Sequence, residues 1–308
     1  MPISYLSLGS QLTNIVANPF YQIAPGDAGA SSTTSYANLL RPFPQYFDGV
    51  STYRKPLGNS LYNGLLMRMN KRFSHGLTLL MAYTFAKTLS DTDSAVGFLG
   101  AASGGPLDSY NIRNEWAVDA QNVSSSFVTS AVYDLPFGKG KAFANGGSRI
   151  LNGVVGGWQL NGIVTIQTGT PIIIGGPTGS YTNGIGAGNR LNSTGQSPAV
   201  SNPSISEWFN PNAFTQPANY TLGNLARTLP NVNNPGISTG DLSLFKNFRF
   251  GHEARFNGQV RTEWFNALNK PQFGGPGTSF GSGNFGQITG TAGGDAVRVI
   301  QMAAKFIF

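Results

Sequence analysis

Apolar and polar residues alternate along seven segments of the chain, each between 11 and 14 residues long. In 254–266, for example, Phe256 and Trp264 fall on one parity, whereas Arg261 and Glu263 fall on the other. A period of two predicts β-strands with two different faces. Such lengths exceed the ~5–6 residues of most soluble strands and suit tilted strands that cross a bilayer, which need ~9–11. The predicted strands are 61–73, 77–89, 122–135, 157–167, 239–249, 254–266 and 297–308.

The connections between these segments alternate between long and short. The long connections are 1–60, 90–121, 168–238 and 267–296, and the short ones are 74–76, 136–156 and 250–253. Outer-membrane barrels have short periplasmic turns and long extracellular loops, whereas a soluble sandwich has no reason to sort its loops in this way. We therefore predict an all-β fold: an antiparallel transmembrane β-barrel segment of about seven meandering strands. Residues 1–60 would be an extracellular loop region, and 61–308 the barrel portion.

In each predicted strand the two sets of alternating positions, or parities, form the two faces. One face suits contact with lipid and the other suits contact with water. Aromatic residues edge the apolar parity, as in the girdles at membrane interfaces. These predicted girdle residues are Tyr83, Phe85, Tyr133, Trp158, Trp264, Phe306 and Phe308. Lys71, Lys87 and Lys246 share this parity but lie near strand ends, where a long side chain can reach the interface. The charged residues predicted to line a lumen are Arg68, Arg255, Arg261 and Glu263; alternatively, they form an interstrand charge ladder that stiffens the wall.

An odd number of strands leaves two open edges, which lipid does not tolerate. Single-chain bacterial barrels have an even number of strands, so we expect the sequence to be the C-terminal part of a larger barrel. The first ten residues have neither the basic nor the apolar stretch of a signal peptide, which fits a fragment. No window is apolar enough for a transmembrane helix.

Composition narrows the chemistry further. Charged residues make up only 11% of the chain, and 41 of the 308 residues are Gly, as expected for many strands with long loops. The net charge of +7 is scattered rather than clustered, so nucleic acid is not an expected partner. Cysteine is absent, and the two histidines are isolated. We therefore expect no enzyme, no cofactor and no metal site.

Four local features of the sequence are interpreted as structural and not as ligand-binding sites. Asp91 and Asp93 are interpreted as solvated loop acids rather than Ca²⁺ ligands, because the loop lacks the Gly and Glu of an EF-hand. The glycines of 184–188 do not follow a strand-helix unit, which disfavours a phosphate site. Residues 171–174 are predicted to extend strand 157–167 beyond a kink, and 149–154 to form a helical turn.

Several stretches, in conserved order along nearly the whole chain, resemble the C-terminal barrel of Oar-like TonB-dependent receptors of the acidobacterial type. They are 41–45 (RPFPQ), 62–64 (YNG), 71–78 (KRFSHGLT), 83–89 (YTFAKTL), 133–141 (YDLPFGKGK), 157–162 (GWQLNG), 167–171 (QTGTP), 241–247 (DLSLFKN) and 263–269 (EWFNALN). The resemblance implies a barrel of about 22 strands around a plug, driven by TonB. The plug, the TonB box and the remaining strands are absent from this sequence.

The favoured hypothesis is thus a barrel fragment of an outer-membrane receptor that takes up or exports a large, unidentified solute. The expected partners are outer-membrane lipid, the missing plug and strands, TonB through the full-length protein, and the barrel assembly machinery through the C-terminal strand. A structural or adhesive outer-membrane barrel whose loops bind a partner is the alternative, as is a secreted soluble β-sandwich.

Overall fold

The computed structural model describes residues 1–46, 50, 58–92, 106–108, 110–176, 189–250, 256–293 and 297–307. The chain begins with a 3₁₀ helix, Ile3–Thr13, whose Leu12 is fully buried. Strands β1 (Ile15–Ala17) and β2 (Thr33–Ser35) then form a small antiparallel sheet. Two single-turn helices, α1 (Asp27–Ala30) and α2 (Tyr36–Leu39), complete this N-terminal region. The region is thus locally ordered, although its sequence has no sustained period.

Seven long strands form one antiparallel sheet in which each strand pairs with the next long strand along the chain. The strands that follow β2 in chain order are β3 (Ser60–Ser74), β4 (Leu77–Ser90), β5 (Ala117–Val118), β6 (Ser125–Asp134), β7 (Trp158–Gln167), β8 (Asn192–Ser193), β9 (Phe214–Thr215), β10 (Ile237–Phe250), β11 (Phe256–Phe265) and β12 (Val299–Ile307). The seven long strands, which we call the wall, are β3, β4, β6, β7, β10, β11 and β12. The predicted seven-strand meander is confirmed, and the largest difference at any strand end is three residues, at Ser125.

The pairing register places the apolar parities of all seven strands on the same side of the wall. Tyr83 lies opposite Phe127, which in turn lies opposite Ile166. We call this side the apolar face. Its large members include Leu65, Met67, Met69, Tyr83, Phe85, Phe127, Leu160, Val164, Ile166, Leu242, Val260, Trp264, Ile300, Met302 and Phe306. Seven separate sequence patterns therefore combine into one continuous surface.

Among the described residues, no second layer of protein covers the apolar face. Met67 is 51% exposed and Met302 is 77% exposed. Ala86 is the only hydrophobic residue of the described wall that is buried. It lies on the other side of the wall, which we call the polar face. The wall thus cannot be stabilised by a water-excluding core of its own.

The wall does not close on itself. In the described residues, β3 pairs along its length only with β4, and β12 only with β11. Because seven antiparallel strands alternate in direction, β3 and β12 run the same way. An all-antiparallel closed barrel therefore requires an odd number of additional strands between these two edges, and the structure is an incomplete barrel.

Short turns join the strands at one end of the wall. The β3–β4 turn places His75 and Gly76 at positive φ (52° and 84°), the conformation of a tight hairpin. A Cβ on Gly76 would lie 2.7 Å from the carbonyl oxygen of Asp134, so glycine is also required by packing. The β6–β7 connection contains helix α3 (Arg149–Val155), capped by the side chain of Ser148. The connection 251–255 lies outside the described residues.

The opposite end carries three long connections. We call them loop A (91–124), loop B (168–236) and loop C (266–298), and together they form the loop cap. Strand β5 and a 3₁₀ helix, Ile112–Glu115, lie in loop A; β8, β9 and the 3₁₀ helix Pro211–Ala213 lie in loop B. The helices in the described part of the chain are all too short or too polar to cross a membrane.

Candidate functional site

Loops B and C pack around a shared hydrophobic core at one end of the wall. Its fully or nearly buried residues, the loop core, are Ile172, Ile174, Leu191, Phe209, Ala213, Phe214, Leu229 and Val232. The Phe209 ring meets Phe214 edge-on at 5.7 Å, and Phe285 of loop C packs against both rings at 5.1 and 5.8 Å. Edge-to-face pairs add to the stabilisation that burial already supplies. The described parts of loops B and C therefore form one folded unit.

A buried arginine joins loop B to loop A and to the wall. Arg227 is only 4% exposed. Its Nη2 donates to the carbonyl and hydroxyl oxygens of Ser90 at 2.7 and 2.9 Å, and its Nε donates to the carbonyl oxygen of Glu115 at 3.1 Å. Because Ser90 is the last residue of β4, this guanidinium fixes the cap directly to a strand end.

The charge of Arg227 is held in a partly desolvated setting. Burial lowers the pKa of the Arg227 guanidinium from its ordinary value, and the nearby carboxylate of Asp91 raises it in part. An arginine remains protonated despite such a shift. The cap thus contains a fixed positive charge, and its hydrogen bonds are the stronger, charge-assisted kind.

An ion pair between a buried glutamate and a partly buried arginine links the same loops. Glu115 of loop A is 2% exposed and forms a salt bridge with Arg190 of loop B. The backbone N–H of Leu107 donates to the other carboxylate oxygen at 2.9 Å. The Thr228 hydroxyl also donates to the carbonyl oxygen of Val118 at 2.6 Å. Loops A and B are therefore held together at several points.

Asp91 links the two strands of the β3–β4 hairpin at the end next to the loop cap. Its two carboxylate oxygens accept hydrogen bonds from the backbone N–H and the side-chain amide of Asn59, at 2.6 and 2.8 Å. With only 4% of its surface exposed, Asp91 is not the solvated acid that the sequence predicted. Asp93 lies outside the described residues. Within the described residues, no cluster of acidic or histidine side chains is arranged to hold a metal ion.

An open cavity of about 380 Å³ lies over this network. Among the described residues, those that line it are Asn59, Asp91, Arg113 and Trp116. The Trp116 side chain is 43% exposed, and Arg113 is also exposed. An aromatic surface beside a cation and a carboxylate can hold a polar solute by ring contact and directed hydrogen bonds.

The family of the chain follows from a comparison of its sequence with family models. The model described as "Outer membrane beta barrel domain" matches residues 3–301, nearly the whole chain. The chain belongs to the outer membrane beta barrel family. No curated protein and no solved structure matches it.

An outer membrane beta barrel domain resides in the outer membrane, with its apolar face in contact with lipid. The uncovered apolar face is thereby explained, because hydrocarbon takes the place of a second protein layer. The loop cap then lies outside the cell and the short turns lie in the periplasm.

Most of the predicted girdle aromatics lie towards one end or the other of the apolar face. Phe85 and Trp264 lie towards the loop cap, and Tyr133, Trp158 and Phe306 lie near the short turns, whereas Tyr83 lies at the middle of β4. A ten-residue strand at ~3.3 Å per residue and a tilt of about 40° spans ~25 Å, the height of the apolar band in such barrels. Their girdle role stays a prediction, and Phe308 lies outside the described residues.

The predicted lumen charges are only partly brought together. Arg68, Arg261 and Glu263 lie on the polar face, whereas Arg255 is outside the described residues. The Arg261 Nε lies 3.8 Å from a Glu263 carboxylate oxygen, so this ion pair runs along one strand and not between two strands. Arg68 lies five strands away, on β3. A lumen role for these residues stays a prediction.

Amides make the cross-strand polar contacts on this face. The Gln159 amide donates to Asp134 at 2.9 Å, and the Gln259 amide donates to Asn247 at 2.8 Å. A few aliphatic residues, such as Ile163, share the polar face. The contacts differ from the predicted charge ladder because the charged side chains on β11 have no charged partners opposite them in the register.

Sequence reasoning missed the residues of the cap. Arg113, Trp116, Arg190 and Arg227 lie in segments with no period, and none was a candidate. The only local signal is an aromatic residue, Trp116, within a polar loop, and many solvent-exposed loops share that feature.

Proposed function

We propose that this barrel domain belongs to a TonB-dependent outer-membrane receptor of the Oar-like type, which moves a large solute across the outer membrane. The observation that carries the proposal is the folded loop cap with its cavity of mixed chemistry. A rigid, preformed site at the extracellular end suits solute capture. The resemblance at strand ends and turns along the chain supports the same family.

In this proposal each part has a separate task. The cavity beside Trp116 and Arg113 takes the solute from the medium, and the polar face with Arg261 and Glu263 offers it hydrogen bonds along the lumen. The plug and the missing strands complete the barrel. TonB supplies the energy through the full-length protein from the periplasmic side.

The last strand supports assembly. Phe306 is 62% exposed at the end of β12, an open edge with unpaired backbone groups. An exposed edge recruits a further strand by main-chain pairing. We expect the barrel assembly machinery to recognise this edge, so that Phe306→Ser reduces the folded protein in the outer membrane while Ala303→Ser, on the opposite parity, does not. Equal assembly of both variants would count against recognition through the apolar parity.

An adhesive barrel remains the second candidate. Tyr110 and Trp116 are 64% and 43% exposed on loop A, and exposed aromatics are common in protein-binding surfaces. An adhesin would retain its partner at the cell surface, with no need for energy.

Solute depletion separates the two candidates. Cells that make the full-length protein, with and without functional TonB, are given a defined mixture of peptides and oligosaccharides, and the medium and cell extracts are followed by mass spectrometry. The transporter proposal predicts TonB-dependent accumulation of some components inside the cell, and its loss in Trp116→Ala. Accumulation that is absent, or unchanged without TonB, would overturn it.

A further inference from the structure

Helix α3, in the β6–β7 connection on the periplasmic side, exposes large aliphatic side chains. Ile150 is 81% exposed, Leu151 is 47% exposed and Val154 is 63% exposed. Val154 lies four residues after Ile150 and three after Leu151, so the three side chains share one side of the helix. The Asn152 amide, on another side, donates to the carbonyl oxygens of Gly147 and Ser148 at 2.6 and 3.2 Å. The helix is thus amphipathic, with an apolar side that no described residue covers.

The C-terminal end of α3 is attached to the apolar face of the wall. The Trp158 indole N–H donates to the carbonyl oxygen of Val154 at 2.9 Å, and the Lys246 ammonium donates to the same oxygen at 3.0 Å and to the carbonyl oxygen of Gly156. Trp158 and Lys246 are directly paired across β7 and β10, on the side that contacts lipid. The helix therefore lies beside the lipid and not beneath the lumen.

The same two residues explain how a lysine is tolerated on the apolar face. The Lys246 ammonium lies 5.2 Å from the centre of the Trp158 ring and caps carbonyl groups at the end of α3. Cation–π contact and capping of a helix C-terminus both stabilise a positive charge. The ammonium thus reaches carbonyl groups at the short-turn end of the wall, where the sequence predicts that a lysine on the apolar face reaches the membrane interface.

The segment that precedes α3 in the same connection also combines exposed aromatic rings with lysine side chains. Phe137 and Phe143 are 42% and 58% exposed, with ring centres 5.8 Å apart. Lys139, between them, is exposed, and the Lys141 ammonium lies 3.9 Å from the Asp134 carboxylate with much of its surface open to solvent. Aromatic and aliphatic groups next to lysines match the boundary between acyl chains and phosphate groups.

We propose that α3 and the segment 137–143 form an interfacial anchor that inserts into the periplasmic phospholipid leaflet beside the barrel. Phospholipid is the expected partner because α3 is continuous with the lipid-facing wall: the Trp158 indole, on the apolar face, donates to the last turn of α3. A seven-residue helix is only ~10 Å long, so it lies in the leaflet surface and does not cross it. Its apolar side sits ~5–10 Å into the headgroup and acyl boundary. The anchor does not depend on the transport proposal.

This sequence contains no cysteine, so a cysteine introduced here can be labelled selectively once any cysteine elsewhere in the full-length protein is replaced by serine. Single-cysteine variants Ile150→Cys and Val154→Cys of the full-length protein are labelled with an environment-sensitive fluorophore. They are reconstituted in phosphatidylethanolamine and phosphatidylglycerol vesicles that contain lipids spin-labelled near the headgroup. Leu160→Cys, on the apolar face of β7, is the lipid-exposed control, and Ser206→Cys, on the exposed surface of loop B, is the water-exposed control.

The anchor predicts a blue-shifted emission at both α3 positions and a loss of fluorescence comparable with that of the Leu160 position. Quenching no greater than that at the Ser206 position would overturn it. Heat-modifiable migration of each variant on electrophoresis confirms that the labelled barrel is folded, so the result reports the location of the helix.

Discussion

The wall and the loop cap use apolar residues in opposite ways. In the wall, large side chains such as Met67 and Met302 are half exposed or more, and only Ala86 belongs to the buried hydrophobic set. In the cap, Phe209 is completely buried and is surrounded by other rings. The cap folds as a water-soluble protein does, with its apolar groups inside, while the wall has its apolar groups outside.

The two regions are therefore suited to different solvents, the cap to water and the apolar face of the wall to hydrocarbon. Burial against protein stabilises the cap because water is expelled from between its side chains. The apolar face of the wall gains the same transfer free energy only when hydrocarbon covers it. Buried polar contacts such as Arg227 with Ser90 then join the two regions at the membrane boundary. The two regions should therefore respond differently to substitution and to lipid.

The largest expected effect comes from a cavity in the loop core. Phe209→Ala should cost ~3–5 kcal/mol of cap stability, because the ring is fully buried. Hydrogen exchange should show faster exchange across loops B and C and unchanged exchange in the wall. The exposed Phe43→Ala is the control and should cost less than about 0.5 kcal/mol. If wall and cap lose protection together, they are one cooperative unit and the comparison fails.

A charge on the lipid side of a central strand comes next. Val164→Arg should cost ~2–4 kcal/mol, because the guanidinium would lie in hydrocarbon near mid-depth. Thr165→Arg places the same side chain on the polar face, where we expect a loss of less than about 1 kcal/mol. Urea unfolding of the full-length protein in phosphatidylcholine vesicles measures both. Equal losses would mean that the two faces do not meet different solvents.

Removal of the buried guanidinium should have a smaller, local effect. Arg227→Ala deletes three charge-assisted hydrogen bonds to Ser90 and Glu115 and should cost ~1.5–3 kcal/mol. Limited proteolysis should then cut loops A and B faster, with no change in assembly of the wall. Arg113→Ala, an exposed arginine of loop A, is the control. Unchanged cleavage in Arg227→Ala would show that this residue does not hold the cap in place.

The smallest expected effect concerns the periplasmic end. Lys246→Gln removes the cation that caps α3 and contacts Trp158, and should cost about 1 kcal/mol. Hydrogen exchange should increase in 149–156 alone. Lys87→Gln, near the other end of the apolar face, should leave this segment unchanged. Increased exchange spread over the loop cap would contradict the local role of Lys246.

The wall was predictable because its signal is local. A period of two, as in 254–266, assigns each residue to a face without knowledge of its neighbours, and the pairing register then brings the apolar parities together. The alternation of long and short connections predicted the two ends. The division of the chain into 1–60 and 61–308 stays a prediction.

The cap was not predictable because its contacts join distant segments. Residues 171–174 were predicted to extend β7, but β7 ends at Gln167, and Ile172 and Ile174 pack in the loop core. Asp91 was predicted to be solvated, but it is buried and accepts two hydrogen bonds from Asn59. Gly-, Asn- and Pro-rich sequence carries no period from which such packing follows. The glycines of 184–188 lie outside the described residues.

The central claim, that lipid and not water contacts the apolar face, is tested most directly along β7. Single cysteines at each position from Trp158 to Gln167, labelled with a fluorophore, are measured in vesicles that contain spin-labelled lipid. The account predicts that fluorescence loss alternates, with strong quenching at Trp158, Leu160, Gly162, Val164 and Ile166 and weak quenching at the positions between them. Uniform quenching along the strand, or strong quenching on the other parity, would contradict it.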